Sequence, residues 1–299
     1  MWFRNLRIYR LTTDWKNDSN QLSNLLAQHP LNRCGSLAMQ SRGWVYPKNE
    51  GFVHSINRQW LISLGVEQKL LPATVIRQVT QERVTQIEVE QGRIVGRKEI
   101  RDLRDSVTHE LLPRAFTRRR TTWAWIDPQN GWLAIDAGSD ARADEFTEVL
   151  LRSLGDIQLK PLQTRLSPSS AMTGWLASGD PPIGFTIDDD LELRPLASGQ
   201  SAIRYVRHAL EGREIQQHIA NGKMATKLGL TWNDRVSFVL TDKLQVKRLA
   251  FLDILKESAD QSSRDADEQF DLDFALMAGE LNRLLKDLLV ALGGEGEAI

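Results

Sequence analysis

Arg118, Arg119 and Arg120 stand in a row, with Arg114 shortly upstream and Phe116 between. The planar, permanently charged guanidinium binds phosphate oxygens through paired N–H donors. An aromatic ring beside such groups can stack on a base or wedge into a groove. A run of arginines is more often a solvated strand end than a ligand site. Two features here favour a polyanion. Arg114 adds a fourth charge across the turn at Pro113, and Phe116 falls beside a proline and amid charge, where burial is hard to arrange. On this ground Phe116 has two readings: a plug over the base of a hairpin, or an exposed stacking surface.

The other chemistry-bearing residues form weaker patterns. His29, His54, His109, His208 and His218 show no metal-ligand spacing, and there is no G-x-S-x-G, Walker loop or G-x-G-x-x-G. Asp188, Asp189 and Asp190 could hold a hard cation as in a nuclease, but three carboxylates in a turn are usually solvated. Glu67 and Lys69 match the tail of a nuclease E-x-K pattern, a spacing that chance supplies constantly. The expectation is a binding protein, not an enzyme, with no catalytic residue, cofactor or metal.

The arginines need a strand to hold them. Thr121, Trp123 and Trp125 alternate with Thr122, Ala124 and Ile126, and Asp127–Gly131 is a turn into a return strand, Trp132–Ile135. Upstream, residues 3–12 read as a strand and Asp18 or Ser19 caps a helix through Leu26. Gly43–Tyr46 and Phe52–Ile56 read as strands around a Pro47–Gly51 turn, followed by Trp60–Leu71. Pro72 starts a helix running to Gly92, and a second runs from Arg97 to Leu112. These two form a projecting, charge-rich helical hairpin in which Glu99, Asp102 and Asp105 can pair with basic residues three or four places away.

Downstream, Asp140–Leu154 is a helix, Ile157–Leu162 is extended, and Ser167-Pro168 caps a helix through Leu176. Short strands Phe185–Ile187 and Leu191–Leu196 flank the acidic turn, Ser201–His208 is extended, and Glu211–Asn221 is a helix ended by Gly222. Lys223–Leu230 pairs with Val236–Leu240 across Asn233-Asp234, and Gln245–Phe251 is the last strand. Asp267–Leu292 is a long helix whose Phe270, Phe274, Met277, Leu281, Leu284 and Leu288 form one stripe, for packing on its own domain or, less often, a subunit seam. The fold class is α+β, with antiparallel sheets and flanking helices. The subregions are 1–72 with 113–165 as a central sheet region, 73–112 as the hairpin, and 166–299 as a second α+β region.

The whole chain bounds these readings. Its 299 residues can bury a large core, and 41% apolar with 26% charged residues is a globular composition. The net charge of −1 hides an asymmetry: Asp260–Ile299 holds ten acidic and three basic residues, a balance of −7, which leaves +6 for 1–259. A polyanion surface is therefore permitted on the body of the chain, with the acidic helix facing outward or at a subunit contact. The single cysteine, Cys34, excludes an intramolecular disulfide and suits a reducing compartment. The opening residues lack a signal-peptide core and no run reaches the length of a membrane span, so the expected location is cytoplasmic, with no membrane partner.

The opening W-F-R-N-L-R-I-Y-R-L, Cys34-Gly35-Ser36 with Met39 and Gly43-Trp44-Val45, and L-L-P-R-A-F (Leu111–Phe116) resemble the RdgC recombination-associated proteins. So do Trp125-Ile126-Asp127, the G-K-x-x-T-K-L of Gly222–Leu228, Lys247-Arg248-Leu249 and the closing L-G-G-E. No one motif is diagnostic; their order from Trp2 to the C-terminus is. The resemblance implies a horseshoe-shaped monomer, closing as a ring-shaped homodimer around double-stranded DNA without sequence preference. It implies association with the nucleoid and restraint of the RecA recombinase. It implies a subunit contact or gate for Phe116, in place of a stacking role. It places Arg204 and Arg207 in a basic loop near DNA and adds Lys223 and Lys227 to Arg114, Arg118, Arg119 and Arg120 as candidate nucleic-acid contacts. Three hypotheses stand: a duplex-binding clamp that limits RecA access, a regulator acting by direct contact with RecA, and a metal-dependent nuclease.

Overall fold

The computed structural model describes residues 1–11, 18–155, 159–195, 201–210, 212–252 and 265–296. Thr12, Ile157, Leu196 and Glu211, which the sequence assigns to the ends of elements, lie outside the described residues. The first sheet holds β1 (Arg7–Leu11), β2 (Gln40–Val45), β3 (His54–Ile56), β4 (Gln59–Lys69), β5 (Thr117–Asp127), β6 (Trp132–Ile135) and β7 (Leu159–Pro161). Its order is β2-β4-β5-β6-β1-β7, with β3 also on β4. The second holds β8 (Phe185–Pro195), β9 (Ile203–Tyr205), β10 (Lys223–Trp232), β11 (Val236–Thr241) and β12 (Val246–Phe251), ordered β12-β11-β10-β8-β9. Every strand pair is antiparallel. The helices are α1 (Ser19–Leu26), α2 (Ala73–Gln91), α3 (Arg97–Leu111), α4 (Asp140–Leu154), α5 (Pro168–Ser178), α6 (Arg213–Ala220) and α7 (Ala266–Ala291). The protein is α+β, and no helix among the described residues is long and apolar enough to cross a membrane.

Period-two alternation decides which face of the first sheet each side chain meets. Ile62, Leu64, Ala124, Ile126, Leu133 and Ile135 share a core with Leu22 and Leu26 of α1 and Phe146 and Leu150 of α4. Leu61, Trp125, Trp132 and Ala134 point the other way, into a second core with α5, α7 and the second sheet. The sheets join where Leu6 and Val246 exchange backbone hydrogen bonds at 2.7 and 3.2 Å. β10 turns into β11 through the three residues Asn233–Arg235, with Asn233 and Asp234 both at positive φ and Arg235 N–H donating to the Trp232 carbonyl at 2.9 Å.

α7 lies inside the molecule. Phe274, Met277, Leu281, Leu284 and Leu288 are all buried, so its stripe packs on its own chain. Asn282 donates to Asp127 of the first sheet at 3.1 Å, and Asp287 accepts from Trp232 of the second at 2.9 Å. The expectation of an outward-facing acidic helix is corrected here. Its apolar stripe is too wide to leave solvated, and its acids bond internally: Asp271 to Lys48, Asp273 to the Met1 amino group, Glu280 to Arg235 and Arg283.

Three local expectations also change. β2 and β3 do not pair with each other; both lie along one edge of β4, at Ser63–Gln68 and Gln59–Leu61. Phe185–Pro195 is one strand, and Asp188–Asp190 form a bulge in it opposite Gly229 rather than a turn. A Cβ on Gly229 would stand 3.1 Å from that of Asp188 and 3.2 Å from that of Asp190, so a larger residue here would push the bulge back by a few tenths of an ångström. In the α2–α3 pair the ion pairs are Arg93–Glu99 and Arg83–Glu110, which close the hairpin loop and bridge the helices, in place of pairs three or four residues apart along α3.

Candidate nucleic-acid interface

β6 pairs β5 only at Ala124–Asp127, so the first half of β5 is an edge strand with β4 on one side. That half carries the arginine run. Arg118 and Arg119 are exposed and have no ion-pair partner among the described residues. They point to opposite faces of the sheet, as alternation requires. Arg120 points inward over α4 and binds Glu145 at 2.5 Å, so it braces the strand and its charge is already matched. Arg114 is exposed in the 3-10 turn Leu112–Arg114.

Phe116 is 86% exposed, which removes the plug reading. Its backbone is held firmly: Leu70 N–H donates to the Phe116 carbonyl at 2.7 Å. Beside it, the buried Lys69 ammonium donates to the carbonyls of Leu112 (2.7 Å) and Ser36 (2.8 Å). A buried cation with carbonyl partners fixes the corner between α3 and β5. The result is a large apolar ring in water beside three exposed guanidinium groups, on a rigid base.

The candidates on the second sheet form a separate group. Glu192, buried on β8, accepts from Arg204 Nε at 2.7 Å, Lys227 Nζ at 2.9 Å and Arg194 Nε at 2.9 Å. Burial pushes its carboxyl up, but the three cationic hydrogen bonds overcome this and hold it down at about 2. Three cations on one anion leave a net positive hub. Arg207 is exposed at φ +51°, just past β9, and Lys223 Nζ lies 3.3 Å from His218 Nδ1. Arg204 and Lys227 are therefore brought together, while Arg207 and Lys223 make no contact with Glu192.

Sequence reasoning missed Arg194, Lys247 and Arg248. Arg248 pairs with Asp190 at 3.1 Å, and Lys247 lies on the same cleft as Arg204 and Lys227. The only signal for Lys247 and Arg248 was the K-R-L motif, and their neighbours come from strands far away in sequence, which only the register reveals; Arg194 meets Glu192 two residues away on its own strand.

The aspartate run is tied into the sheet. Asp188 accepts from the Thr231 hydroxyl at 2.9 Å, and its pKa is raised by burial and by Asp189 and Asp190 against that hydrogen bond. Glu67 accepts from Cys34 N–H at 2.9 Å. Among the described residues, no group of three or more His, Cys, Asp or Glu could hold a metal ion.

The family model that matches residues 1–295 is described as "Putative exonuclease, RdgC". The chain is 53% identical to the recombination-associated protein RdgC of Dechloromonas aromatica, covering 99% of this chain and 98% of that one. It is 50% identical to the RdgC protein of a Janthinobacterium species, with 99% of each covered, and 49% identical to that of Cupriavidus pinatubonensis over the full length of both. The chain belongs to the RdgC family. The order of motifs from the first strand to the closing glycines therefore reflects membership along the whole chain. The two RdgC descriptions differ in content: the relatives are named for recombination, the family model for exonuclease activity.

Proposed function

We propose that this protein binds double-stranded DNA without sequence preference, encircling it as a ring-shaped homodimer built from horseshoe-shaped monomers. By occupying duplex at the nucleoid, in the cytoplasm, it limits RecA-mediated recombination. It acts by binding and not by cleavage. The observation that carries this reading is the edge of β5, where Arg114, Arg118 and Arg119 stand exposed and without ion pairs among the described residues, around the exposed Phe116. Unpaired guanidinium groups at a strand end suit phosphates and carry no base-edge code, which is what sequence-neutral binding needs. Phe116 is assigned to the subunit contact that closes the ring.

The test is duplex affinity against salt for the wild type and Arg118→Ala/Arg119→Ala. Arg120 is left intact because its loss would strand Glu145. The log–log slope should be steep, equal on unrelated duplexes, and shallower in the variant by about 0.9 per lost phosphate contact. A flat wild-type slope refutes the reading. Inhibition of RecA that survives in the variant while duplex binding falls assigns the effect to direct contact with RecA. The family description favours one other reading, exonuclease activity; magnesium-dependent shortening of a linear duplex that fails in Asp188→Asn would establish it in place of simple binding.

A further inference from the structure

The first half of β5 leaves one edge of its sheet open. β4 lies along the strand from Thr117 to Ile126, whereas on the other side β6 reaches only Ala124–Asp127. Two hydrogen bonds fix which backbone groups point where. The Phe116 carbonyl faces the β4 side, accepting from Leu70 N–H at 2.7 Å, and the Trp123 carbonyl faces the other way, accepting from Asp136 N–H at 2.8 Å. Backbone groups alternate between the two edges along an antiparallel strand. Thr117, Arg119 and Thr121 therefore turn their N–H and C=O outward, while Arg118 and Arg120 turn theirs to β4. Thr117, Arg119 and Thr121 are all exposed, and no strand among the described residues pairs with them on that side.

An open edge is a template for a further strand, and folded proteins usually shorten, bend or cover such edges. This one spans about 14 Å from Thr117 to Thr121 at the usual rise per residue. The side chains choose the occupant. Arg118 and Arg119 project to opposite faces without ion pairs among the described residues, while Arg120 is already matched by Glu145. A second copy of β5 fits poorly. Laid antiparallel about Arg119 to overlap the whole open stretch, it would set Arg118 opposite Arg120 and Arg119 opposite itself, and like charges directly opposite are destabilising. A strand with two adjacent carboxylates fits well. Neighbouring residues on a strand point to opposite faces, so one carboxylate meets Arg118 and the other Arg119.

We propose that the open edge of β5 is a docking site for an extended acidic segment of another protein, which adds a strand to the first sheet and pairs adjacent carboxylates with Arg118 and Arg119. Main-chain bonds supply the affinity and the charge pairs select the partner. The consequence for DNA rests on the DNA-binding reading: strand and duplex draw on the same guanidinium groups, so a docked strand displaces duplex. The docking itself does not depend on that reading.

The probe is the blocked hexapeptide V-T-E-E-T-V. Its controls are V-T-K-K-T-V and the glutamate peptide with every backbone nitrogen methylated, which keeps the charge and loses the strand-pairing donors. The first readout is amide exchange on the full-length protein with each peptide at millimolar concentration and no DNA. The glutamate peptide should slow exchange at Thr117, Arg119 and Thr121 and leave Arg118 and Arg120 as they were; neither control should do so. Arg118→Glu/Arg119→Glu should bind the glutamate peptide about tenfold more weakly, about threefold for each cross-strand pair, and should gain the lysine peptide. Both positions are exposed, and unchanged exchange on β10 reports that the variant is folded. In a separate titration the glutamate peptide should weaken duplex binding by the wild type. No protection at Thr117, Arg119 and Thr121 overturns the docking site. Equal protection by the methylated peptide overturns strand pairing in favour of charge contact alone. Protection of the edge by a protein that binds no duplex leaves the docking site standing and overturns the DNA-binding reading. Duplex binding undisturbed by a peptide that protects the edge overturns the displacement.

Discussion

Glu192→Gln isolates the charge of the hub while keeping its shape. The wild-type carboxylate accepts from three cationic groups at 2.7–2.9 Å and from the Thr226 hydroxyl at 3.1 Å. Its pKa of about 2 lies below the ordinary 4.5, so the pairing stabilises the fold with an upper limit of about 3.4 kcal/mol. The partner side chains are 42–63% exposed, so solvent screens the pairs, and a loss of about 1–2 kcal/mol is the expected figure. The folded pKa is depressed, so this stability is fully present above about pH 4.5 and disappears as pH falls towards 2. Urea unfolding of both proteins at about pH 7, 5 and 3 should show a difference that is constant between the first two and shrinks at the third. Equal stability at neutral pH, or a difference undiminished at pH 3, would refute the claim that charge holds this hub together.

Two further perturbations test the frame that positions the candidate groups. Leu281→Ala, at a fully buried position of α7 between the sheets, should cost about 2–5 kcal/mol in denaturant unfolding; a loss below 1 would mean that the helix is not a core element. Lys69→Met should cost about 1–3 kcal/mol by orphaning the Leu112 and Ser36 carbonyls. Amide exchange at Leu70, whose N–H binds the Phe116 carbonyl, should speed up more than exchange on β10.

Where an element states its own boundaries, the sequence was enough. The Asp18 cap, the Ser167-Pro168 start of α5, the alternation along β5 and the stripe on α7 all appear as read. Alternation even sorted Trp123 and Trp125 from Ala124 and Ile126 onto opposite faces. What failed depended on partners distant in the chain. Asp188-Asp189-Asp190 looks like a turn in isolation, and only the close approach of Gly229 on β10 makes it a bulge. β2 and β3 look like a hairpin until β4 is long enough to take both on one edge. The arginine run was legible as a patch but not as a division of labour, because the acid that claims Arg120 lies on α4.

The same logic supports the proposed binding of a polyanion by a chain of net charge −1. Charge matters where it is unmatched, not where it is summed. In the acidic C-terminal segment, Asp271, Asp273 and Glu280 each meet a cation inside the fold, and Asp287 accepts from a tryptophan. These carboxylates hold α7 between the sheets and project little field outward. On the basic body the balance runs the other way. Among the described residues Arg114, Arg118, Arg119, Arg207 and Lys247 are left without ion pairs, and Glu192 is outnumbered three to one by the cations that bind it. Folding thus converts a nearly neutral composition into a neutralised interior and two basic surfaces, one on each sheet. A homodimer would present four such surfaces, and salt-sensitive, sequence-neutral binding needs no larger excess than that.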